Sequence, residues 1–504
     1  MRAGSGLFAD PVVQTRLGKL RGRVREGVAA FKGVPFAAPP FGANRMLPPR
    51  RVDCWDGVRD ALAFGPKSPQ PPYPPGVAEA LQEAVGSGED CLTLNIWTPD
   101  CGTAGQPVMV WIPGGMFEFH ATGATPLYDG SRFARDGVVC VTISYRVGAE
   151  GFLYLGDGVA NLGLLDQIAA LEWVQENIGA FGGDAGNVTI FGQSAGAISV
   201  ATLLSMPRAK GLFRRAIVES GNAHNVTSPA TAKRIGRRLA EKLGVAATRD
   251  AVAAISPERV LQAQTQMRDE LMEHPDPAFW GETALSNLPW QPTVDGEIIP
   301  ARPIDRILAG AAADVDLLAG SNTEETRLFL LPGGAIDRLT DEAVSVLMAT
   351  YGLPKEPALS AYRAAHPGAS SGDLVSAIQT DWYWRIPTVR LADAHAARAQ
   401  ASTFVYEFAW RSPQFGGRLG AAHAVEIPFV FDSLGPASEP LVGQEPPQAL
   451  ADTMHRAWVA FAANGDCGWP KYESVRRPTM RFDTASRLVD DPLAATLALW
   501  KGVR

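Results

Sequence analysis

The feature that most limits how this chain can fold is an alternation of two kinds of segment from about residue 106 onward. Short runs rich in β-branched residues end in glycine or polar turns, and helical stretches such as 162–178 and 195–205 lie between several of them. The runs are 108–112, 138–144, 188–191, 216–219, 315–319 and 403–408. This pattern predicts an α/β fold with a central, mostly parallel sheet and helices on both faces.

The segments outside this alternation have a different character. The first 100 residues contain short runs at 13–22 and 28–34 that are separated by glycine, and we expect antiparallel strands at the edge of the sheet there. Two helix-rich stretches, at about 228–300 and 335–400, are expected to form cap-like insertions that shape a pocket. Because there is no internal repeat and no low-complexity linker, residues 1–504 are predicted to form a single domain.

The composition excludes several classes of protein. Lys and Arg number 46 and Asp and Glu number 53, a net charge of −7, and no basic run is interleaved with aromatic residues, so a nucleic-acid partner is not expected. No apolar run approaches the roughly 18 residues of a membrane span, and the N-terminus has no apolar segment typical of a secretory signal. The 5 cysteines include no CxxC pair, which argues against a disulfide framework and a structural zinc site. We therefore expect a cytoplasmic protein without a metal, and the sequence does not decide between a monomer and a homodimer.

The pattern G-x-S-x-G, which can mark a catalytic serine, occurs twice. The copy at 192–196 follows the β-branched run 188–191 and precedes a helical stretch without proline, as a nucleophile elbow requires. The copy at 368–372 has no strand before it. We therefore predict that Ser194 is a nucleophile and that Ser370 is an ordinary loop serine.

A glycine pair follows the strand run 108–112, where the chain reads PGGMF at 113–117. Backbone N–H groups at this position, upstream of a nucleophile elbow, form part of an oxyanion hole in enzymes that carry the elbow. The predicted donors are Gly115 and Met116, with a third donor in Ala195 at the start of the helix after the nucleophile. The alternative is a simple glycine turn.

The general base is expected late in the chain, because the order behind an elbow serine is Ser, then Asp or Glu, then His. Four of the 7 histidines follow residue 325: His366, His395, His423 and His455. Two of them lie in segments of helical pattern and one precedes a proline, whereas His423 lies in a loop after the run 403–408. A base needs such a loop position to contact both of its partners, so His423 is the predicted base.

The acid should follow the end of another strand. The run 315–319 leads into two neighbouring glutamates, Glu324 and Glu325, and spacing alone favours neither. Acidic residues are also common in the first turn of a helix, so one of the two is expected to have that role instead.

Several longer motifs resemble the type-B carboxylesterase family, which includes cholinesterases and bacterial para-nitrobenzyl esterases. Two of them are highly specific: EDCLTLNIWTP at 89–99, and FGG at 181–183 followed after four residues by VTIFGQSAG at 188–196. FKGVPFA at 31–37 and the block 420–431 are also similar to the family. The resemblance extends from about residue 15 to about residue 490.

The resemblance implies an α/β-hydrolase fold, an active site at the bottom of a gorge, and hydrolysis of carboxylic esters through a Ser-Glu-His triad and an acyl-enzyme, without a cofactor. The family motif G-x-x-x-x-E falls on 320–325, which selects Glu325 over Glu324, and the family histidine falls on His423. Ser220 matches a family serine that lies near the triad.

Two departures from the family pattern lead to predictions. The family usually has HGGG or HGGA before a phenylalanine, whereas this chain has PGGM at 113–116. The backbone donors are retained, and the Met116 side chain is expected to crowd the pocket against esters of bulky tertiary alcohols. Cys91 usually pairs with another cysteine in secreted members, but Ser68 replaces that partner here. No disulfide is therefore expected at Cys91, and Cys54 is a less favoured partner for it.

The predicted substrate pocket combines one glycine with four large aromatic residues: Gly114, Phe117, Trp290, Trp382 and Trp384. Its aromatic content predicts a small to medium apolar or aryl ester as the substrate. Two alternatives are an aryl carbamate or other xenobiotic hydrolase with the same triad, and a non-catalytic binding protein of the cholinesterase type. The second is disfavoured because such proteins lack a member of the triad.

Overall fold

The computed structural model describes residues 10–78, 81, 86–119, 122–398 and 400–503, and the structural statements below concern these residues. Within them the strands are β1 (Val12–Gln14), β2 (Lys19–Arg21), β3 (Arg23–Arg25), β4 (Val28–Pro35), β5 (Val58–Asp60), β6 (Thr93–Thr98), β7 (Gln106–Ile112), β8 (Val139–Ile143), β9 (Gly183–Gln193), β10 (Arg215–Glu219), β11 (Asp316–Asn322), β12 (Thr403–Phe408), β13 (Pro478–Phe482) and β14 (Arg487–Asp490).

Eleven of these strands form one sheet, in the order β14-β13-β12-β11-β10-β9-β7-β8-β6-β4-β3. All neighbours from β13 to β8 are parallel, and antiparallel strands flank them on both sides. The mostly parallel sheet and its antiparallel N-terminal edge strands are therefore confirmed. One detail differs, because β1 and β2, which lie in the run 13–22, belong to a separate sheet of three strands in which β2 pairs with β1 and with β5.

Strand β7 shows why the central strands are nearly continuous apolar runs. Val108, Val110 and Ile112 belong to one buried cluster of apolar side chains, whereas Met109 and Trp111 belong to another. Because successive side chains of a strand point to opposite faces, both faces of the sheet are covered by apolar packing. A strand buried on both faces needs no polar residues in alternate positions.

Helices cover the sheet and form the two long insertions. They are α1 (Pro75–Ala78), α2 (Ser131–Arg135), α3 (Gly148–Phe152), α4 (Leu162–Asn177), α5 (Ala195–Leu203), α6 (Pro229–Leu243), α7 (Arg249–Ala253), α8 (Pro257–Glu273), α9 (Pro277–Trp280), α10 (Thr283–Ser286), α11 (Pro303–Leu308), α12 (Arg327–Leu330), α13 (Asp341–Thr350), α14 (Lys355–Ala365), α15 (Ser371–Thr380), α16 (Ile386–Ala396), α17 (Ile427–Val430), α18 (Glu439–Val442), α19 (Gln448–Asn464) and α20 (Ala494–Leu497). Within the described chain, none of them is both long enough and apolar enough to cross a membrane.

Local sequence signals account for where several helices begin and end. Helix α6 begins after Ser228, whose side chain accepts a hydrogen bond from the backbone of Thr231, and its first residue is Pro229. It ends at Gly244, which adopts the left-handed conformation with φ of 70°. Serine before the first turn, proline in the first position and glycine after the last turn are the residues that satisfy a helix's unpaired backbone groups at the lowest cost.

The two segments predicted to be helix-rich contain α6–α10 and α13–α16. Helices α13–α15 share an apolar cluster with Trp382 and with Trp500 near the C-terminus. Helix α16 instead packs against β11 and β12, so it covers a face of the sheet. A π-helical turn at Asp381–Arg385 joins α15 to α16. That these segments cap the active site of a single domain stays a prediction.

All five cysteines lie in the described part of the chain, and none of them forms a disulfide. Cys91 is buried, and its burial raises the pKa of the thiol to about 12. Ser68 is also buried. It stands at the position where the family resemblance places the cysteine that pairs with Cys91 in secreted members. Cys54 is exposed.

Candidate active site

The carboxyl ends of the parallel strands meet at one edge of the sheet, and the residues singled out from the sequence follow those ends. Ser194 comes directly after β9 and before α5, in a conformation uncommon for a residue with a side chain, with φ of 58° and ψ of −125°. Its backbone N–H donates to the carbonyl of Glu219, at the end of β10, over 3.0 Å. A strained backbone of this kind costs about 1–3 kcal/mol and often marks a functional position.

The glycines on either side of Ser194 make this tight turn possible. A Cβ on Gly196 would lie 2.0 Å from the carbonyl oxygen of Ile112, and a Cβ on Gly192 would lie 2.6 Å from the same atom. Both distances are far below any van der Waals contact. Glycine is therefore required at both positions because β7, β9 and α5 approach one another so closely.

Helix α5 directs its N-terminus at the serine. Its first internal hydrogen bond runs from the N–H of Ile198 to the carbonyl of Ser194, over 2.9 Å. The N–H groups of the first turn, Ala195 included, have no acceptor within the helix. They carry partial positive charge that favours an anion at this point.

Glu325 and His423 are in direct contact. His423 Nδ1 lies 2.6 Å from Glu325 Oε2, and both side chains are buried. The backbone N–H of His423 also donates to the carbonyl of Glu325, over 3.1 Å, and the second carboxylate oxygen of Glu325 accepts from the N–H of Asn322, over 2.7 Å. These bonds hold the carboxylate against the ring and favour the tautomer that has its proton on Nδ1.

The neighbouring Glu324 has different partners. Its carboxylate forms ion pairs with Arg327, at 3.1 Å, and with Arg411, at 2.5 Å. It also accepts a hydrogen bond from the N–H of Ala421, over 2.9 Å. Glu324 therefore stabilises the loop that leads to His423, and none of these contacts involves the His423 ring.

A hydrogen bond between the Ser194 hydroxyl and His423 is absent from the described structure. Among the described residues, the hydrogen bonds of the ring go to Glu325 and to the side chain of Gln193, and none goes to the Ser194 hydroxyl. Gln193 Nε2 lies 3.2 Å from His423 Nε2. Hydrogen bonds of a catalytic base are often long or misaligned before the substrate binds. Sequence analysis did not single out Gln193, although its position directly before the serine was the available signal.

The remaining late histidines have structural contacts. His395 Nδ1 lies 2.8 Å from the hydroxyl of Thr403, and His455 Nδ1 lies 2.6 Å from the carbonyl of Val430. The ring of His366 stacks on that of Tyr362, with the centroids 6.5 Å apart. None of these three contacts involves the elbow.

The second G-x-S-x-G copy also has a structural role. The hydroxyl of Ser370 accepts a hydrogen bond from the N–H of Asp373, and the Asp373 side chain accepts one from the backbone of Ser370. This reciprocal arrangement is a capping box at the start of α15.

The loop after β7 lies against the nucleophile elbow. A Cβ on Gly114 would lie 2.6 Å from the carbonyl oxygen of Gln193 and 3.1 Å from the Cβ of Ser194. The loop continues through Gly115 with φ of 113° and Met116 with φ of 58°. The predicted donors therefore lie on the loop next to Ser194, and their role as donors stays a prediction.

Two buried carboxyl groups behind the site were not recognised from the sequence. Glu426 is completely buried; burial and the nearby charge of Glu325 raise its pKa to about 7, whereas His423 and a bond from Asn322 oppose the rise. Burial also raises the pKa of Glu219 well above its ordinary value, although Trp458 Nε1 donates to it over 2.7 Å. Glu426 lies in the block 420–431 and Glu219 ends the strand run 216–219, but neither pattern reveals that a carboxyl group is buried.

Two aromatic rings flank His423. The Trp384 ring centroid lies 5.2 Å from that of His423, and the Phe329 centroid lies 5.3 Å from it. These two rings are parallel to each other, 6.0 Å apart. Trp384 was predicted from the sequence and Phe329 was not.

The other predicted aromatic residues of the pocket are buried. Phe117 packs edge-on against Phe152, and Trp290 lies within the same apolar cluster. Trp382 stacks on Tyr351, with the centroids 4.4 Å apart, and both line a cavity of about 530 Å³ whose walls do not include Ser194 or His423. Contact of these rings with a substrate stays a prediction.

Within the described residues, no group of three or more His, Cys, Asp and Glu side chains has the arrangement to hold a metal ion.

Comparison with known proteins identifies the family. The profile of the carboxylesterase family matches residues 9–500. The chain belongs to the carboxylesterase family. The enzyme is 36% identical to para-nitrobenzyl esterase from Bacillus subtilis over 95% of its own length and 96% of the relative's. It is also 36% identical to phenmedipham hydrolase from Pseudarthrobacter oxydans, over 96% and 95% of the two chains.

Solved structures agree with this assignment. A carboxylesterase from Geobacillus stearothermophilus superposes with a TM-score of 0.84 at 38% identity, covering 97% of this chain and 99% of the other. The resemblance to type-B carboxylesterases and the α/β-hydrolase fold are therefore confirmed. This carboxylesterase is a hydrolase of ester bonds.

Proposed function

We propose that this carboxylesterase acts through Ser194, His423 and Glu325. His423 Nε2 accepts the proton of the Ser194 hydroxyl while Oγ attacks the carbonyl carbon of the ester. Glu325 stabilises the imidazolium that forms, through the hydrogen bond at Nδ1. The observation that carries the proposal is the buried 2.6 Å contact between Glu325 and His423, whose ring also contacts Gln193, the residue directly before the strained Ser194.

The oxyanion of the tetrahedral intermediate accepts hydrogen bonds from the N–H groups of Gly115, Met116 and Ala195. The intermediate collapses as the bond to the alcohol oxygen breaks, and the imidazolium of His423 gives its proton to the leaving alkoxide. The acyl group stays on Ser194 as an ester. His423 then removes a proton from water, the hydroxide attacks the acyl carbon, and the acid is released as Ser194 recovers its proton.

Gln193 has to yield its contact with the ring for the first step to occur. Its amide lies 3.2 Å from the nitrogen of His423 that receives the serine proton. In the proposed mechanism the ring exchanges this amide for the Ser194 hydroxyl when an ester enters the site.

The decisive experiment is pre-steady-state hydrolysis of para-nitrophenyl butyrate. We expect a burst of one para-nitrophenol per enzyme chain, because para-nitrophenolate is a good leaving group and acylation should be faster than hydrolysis of the acyl-enzyme. Ser194→Ala should abolish the burst and lower kcat by at least about 10⁴-fold. Ser370→Ala is the matched control, since it alters the second copy of the pattern and should retain the burst. A burst that persists in Ser194→Ala would remove this serine from the mechanism.

The substrate class that the site supports best is a small to medium apolar or aryl ester. The aromatic pair Trp384 and Phe329 beside His423 offers flat apolar surface to such a group. Para-nitrobenzyl esterase and phenmedipham hydrolase, each 36% identical to this chain, are named for a para-nitrobenzyl ester and for phenmedipham. A para-nitrobenzyl group is apolar and aromatic, in line with this substrate class.

A second candidate within the same chemistry is hydrolysis of aryl carbamates, favoured by the 36% identity to phenmedipham hydrolase. Comparison of kcat/KM for phenyl butyrate and for phenyl N-phenylcarbamate separates the two candidates. We expect the ester to be the better substrate.

The mechanism uses no metal or organic cofactor, so dialysis against a chelator should leave the rate unchanged. We propose a cytoplasmic location on the composition alone.

A further inference from the structure

The loop that carries two of the proposed oxyanion donors has a backbone that must be held from outside. Met116 and Phe117 both lie in the left-handed region, with φ of 58° and 57°. Residues with a Cβ rarely adopt this conformation, and two in succession persist only where surrounding contacts fix them. The direction of the Met116 N–H therefore depends on the groups that hold this loop.

Glu118, two residues after Met116, binds through its side chain to another element. It is 2% exposed, and its Oε1 accepts a hydrogen bond from Gln264 Nε2 over 3.2 Å. The same oxygen lies 3.8 Å from Arg268 Nη1. Both partners are on α8, so the carboxyl group ties the oxyanion loop to the first insertion.

Gln264 is itself held in one orientation. Its Oε1 accepts a hydrogen bond from the N–H of Ala149, in the first turn of α3, over 3.0 Å. A Cβ on Gly148 would lie 2.4 Å from that oxygen, so helix and amide are in close contact. The N–H of Gly148 in turn donates to the carbonyl of Phe117 over 2.7 Å. Loop, α3 and α8 thus form a closed ring of contacts around the two strained residues.

Arg268 completes the ring of contacts through an aromatic side chain of the same loop. Its guanidinium carbon lies 5.1 Å from the ring centroid of Phe119, and that ring stacks on Tyr73 at 5.2 Å. Asp269 lies 3.7 Å from the other end of the guanidinium. Arg268 therefore supplies positive charge to Glu118 at a distance, whereas the hydrogen bond comes from Gln264.

We propose that Glu118, oriented by Gln264, is a positioning residue that directs the Met116 N–H at the oxyanion. The inference rests on the proposed function, in which Met116 is a donor. The reaction uses neither side chain directly. Their contribution is to keep the donor aligned, so it should appear in kcat and in the binding of transition-state mimics, and only weakly in KM.

The test measures kcat per active site for Glu118→Leu, Gln264→Leu and Glu118→Gln. Active sites are counted by titration with diethyl para-nitrophenyl phosphate, which phosphorylates an elbow serine and releases one para-nitrophenol. We expect kcat per site to fall about tenfold in both leucine variants, a part of the 10²–10³ that loss of a whole donor costs. KM should stay within about twofold, and the inhibition constant of phenylboronic acid should rise by the same factor as kcat falls. Glu118→Gln keeps an acceptor oxygen and should remain within about twofold of the parent enzyme.

The matched control is Arg249→Met. Arg249 belongs to the same insertion and is buried, but it pairs with Asp157, and none of its hydrogen bonds reaches the oxyanion loop. Its loss should lower the melting temperature without changing kcat per titrated site.

The inference is overturned if kcat per site is unchanged in Gln264→Leu and Glu118→Leu, or if Arg249→Met lowers it equally. Should Glu118→Leu fail to fold, Gln264→Leu decides from the other side of the contact. Peptide mass analysis of the titrated parent enzyme separates the two proposals. A phosphoryl group absent from Ser194 contradicts the proposed function, whereas a labelled Ser194 with unchanged variants contradicts only the positioning role.

Discussion

At the scale of single residues, burial raises the pKa of three glutamates, Glu118, Glu219 and Glu426. Burial raises the pKa of Glu118 to about 7, and the opposing effects of Arg268 and the Gln264 hydrogen bond do not cancel that rise. The folded enzyme therefore holds this proton more tightly than the unfolded chain, whose glutamate has a pKa of 4.5. The stabilisation that the folded enzyme gains from this proton is complete below pH 4.5, and it is lost as the pH rises through about 7.

Glu118→Gln should reveal this loss directly. The neutral amide has no charge to bury, so its unfolding free energy should not fall in this pH range as that of the parent enzyme does. The difference in unfolding free energy, variant minus parent, should therefore increase by up to about 3 kcal/mol from pH 5 to pH 8. Urea unfolding at the two pH values measures the difference. Gln266→Ala, at an exposed and uncharged position of the same helix as Gln264, should change the free energy of unfolding equally at the two pH values. An equal gain at both pH values would contradict the titration of Glu118.

The Met116 side chain gives a second prediction at this scale. It stands on the loop after β7, which approaches Ser194 at Gly114. The family pattern usually has glycine or alanine at this position, so the larger Met116 side chain should exclude bulky alcohol groups. Met116→Ala should raise kcat/KM for tert-butyl esters by about tenfold, the order of effect that a change of a few methyl-sized groups has on substrate discrimination. The rate on ethyl esters is the internal reference. If the two rates change in parallel, the side chain does not control alcohol size.

At the scale of elements, the elbow between β9 and α5 depends on contact of backbone with backbone. Substitution of Gly196 by alanine should disrupt the elbow, because the added Cβ would lie 2.0 Å from the Ile112 carbonyl oxygen. We expect Gly196→Ala to lower the number of titratable sites and to cost at least about 3 kcal/mol of unfolding free energy, as severe overpacking does. Gly179→Ala is the control, because a Cβ added there would have no atom of a distant residue within 4 Å, and it should be nearly neutral.

The sequence could predict these elements because their signals are local. A strand such as β7 is apolar on both faces, and the glycines around Ser194 indicate a tight turn within five residues. Glu324 and Glu325 show where local signals end. Their spacing does not distinguish them. The family motif favours Glu325, but the physical reason lies in contacts with distant residues, Arg411 for Glu324 and His423 for Glu325. Gln264 and Glu118 are 146 positions apart, so no local pattern connects them.

At the scale of the whole molecule, one buried ion pair joins the N-terminal part of the chain to the sheet and to α4. Arg146 follows β8 and contacts Asp166 at 2.7 Å, and neither side chain is exposed. Arg146 also donates to the carbonyl of Leu47 over 2.8 Å. These contacts bring together three segments that are far apart in sequence.

Removing one partner of this pair should be costly. Arg146→Met leaves Asp166 buried without its partner, and we expect a loss of about 3–5 kcal/mol of unfolding free energy. Arg476→Met is the matched control, because Arg476 pairs with Asp490 at 2.9 Å on the surface, and its loss should lower the free energy of unfolding far less. Urea denaturation of the two variants and the parent enzyme measures both effects. Equal losses would show that burial does not govern the value of the pair.

The spacing of the strands fixes the distances between the strand ends at one edge of the sheet. Strands β9, β10, β11 and β12 are consecutive neighbours, spaced by about 4.8 Å, and Ser194, Glu325 and His423 follow β9, β11 and β12. The excursions at 228–300 and 335–400 each leave one of these strands and return to the next. Their lengths can change without altering the spacing of the strand ends that Ser194, Glu325 and His423 follow. The parts of either excursion that neither carry Gln264 nor pack on the sheet, as α16 does, can therefore be exchanged, and we expect such an exchange to alter which substrates fit.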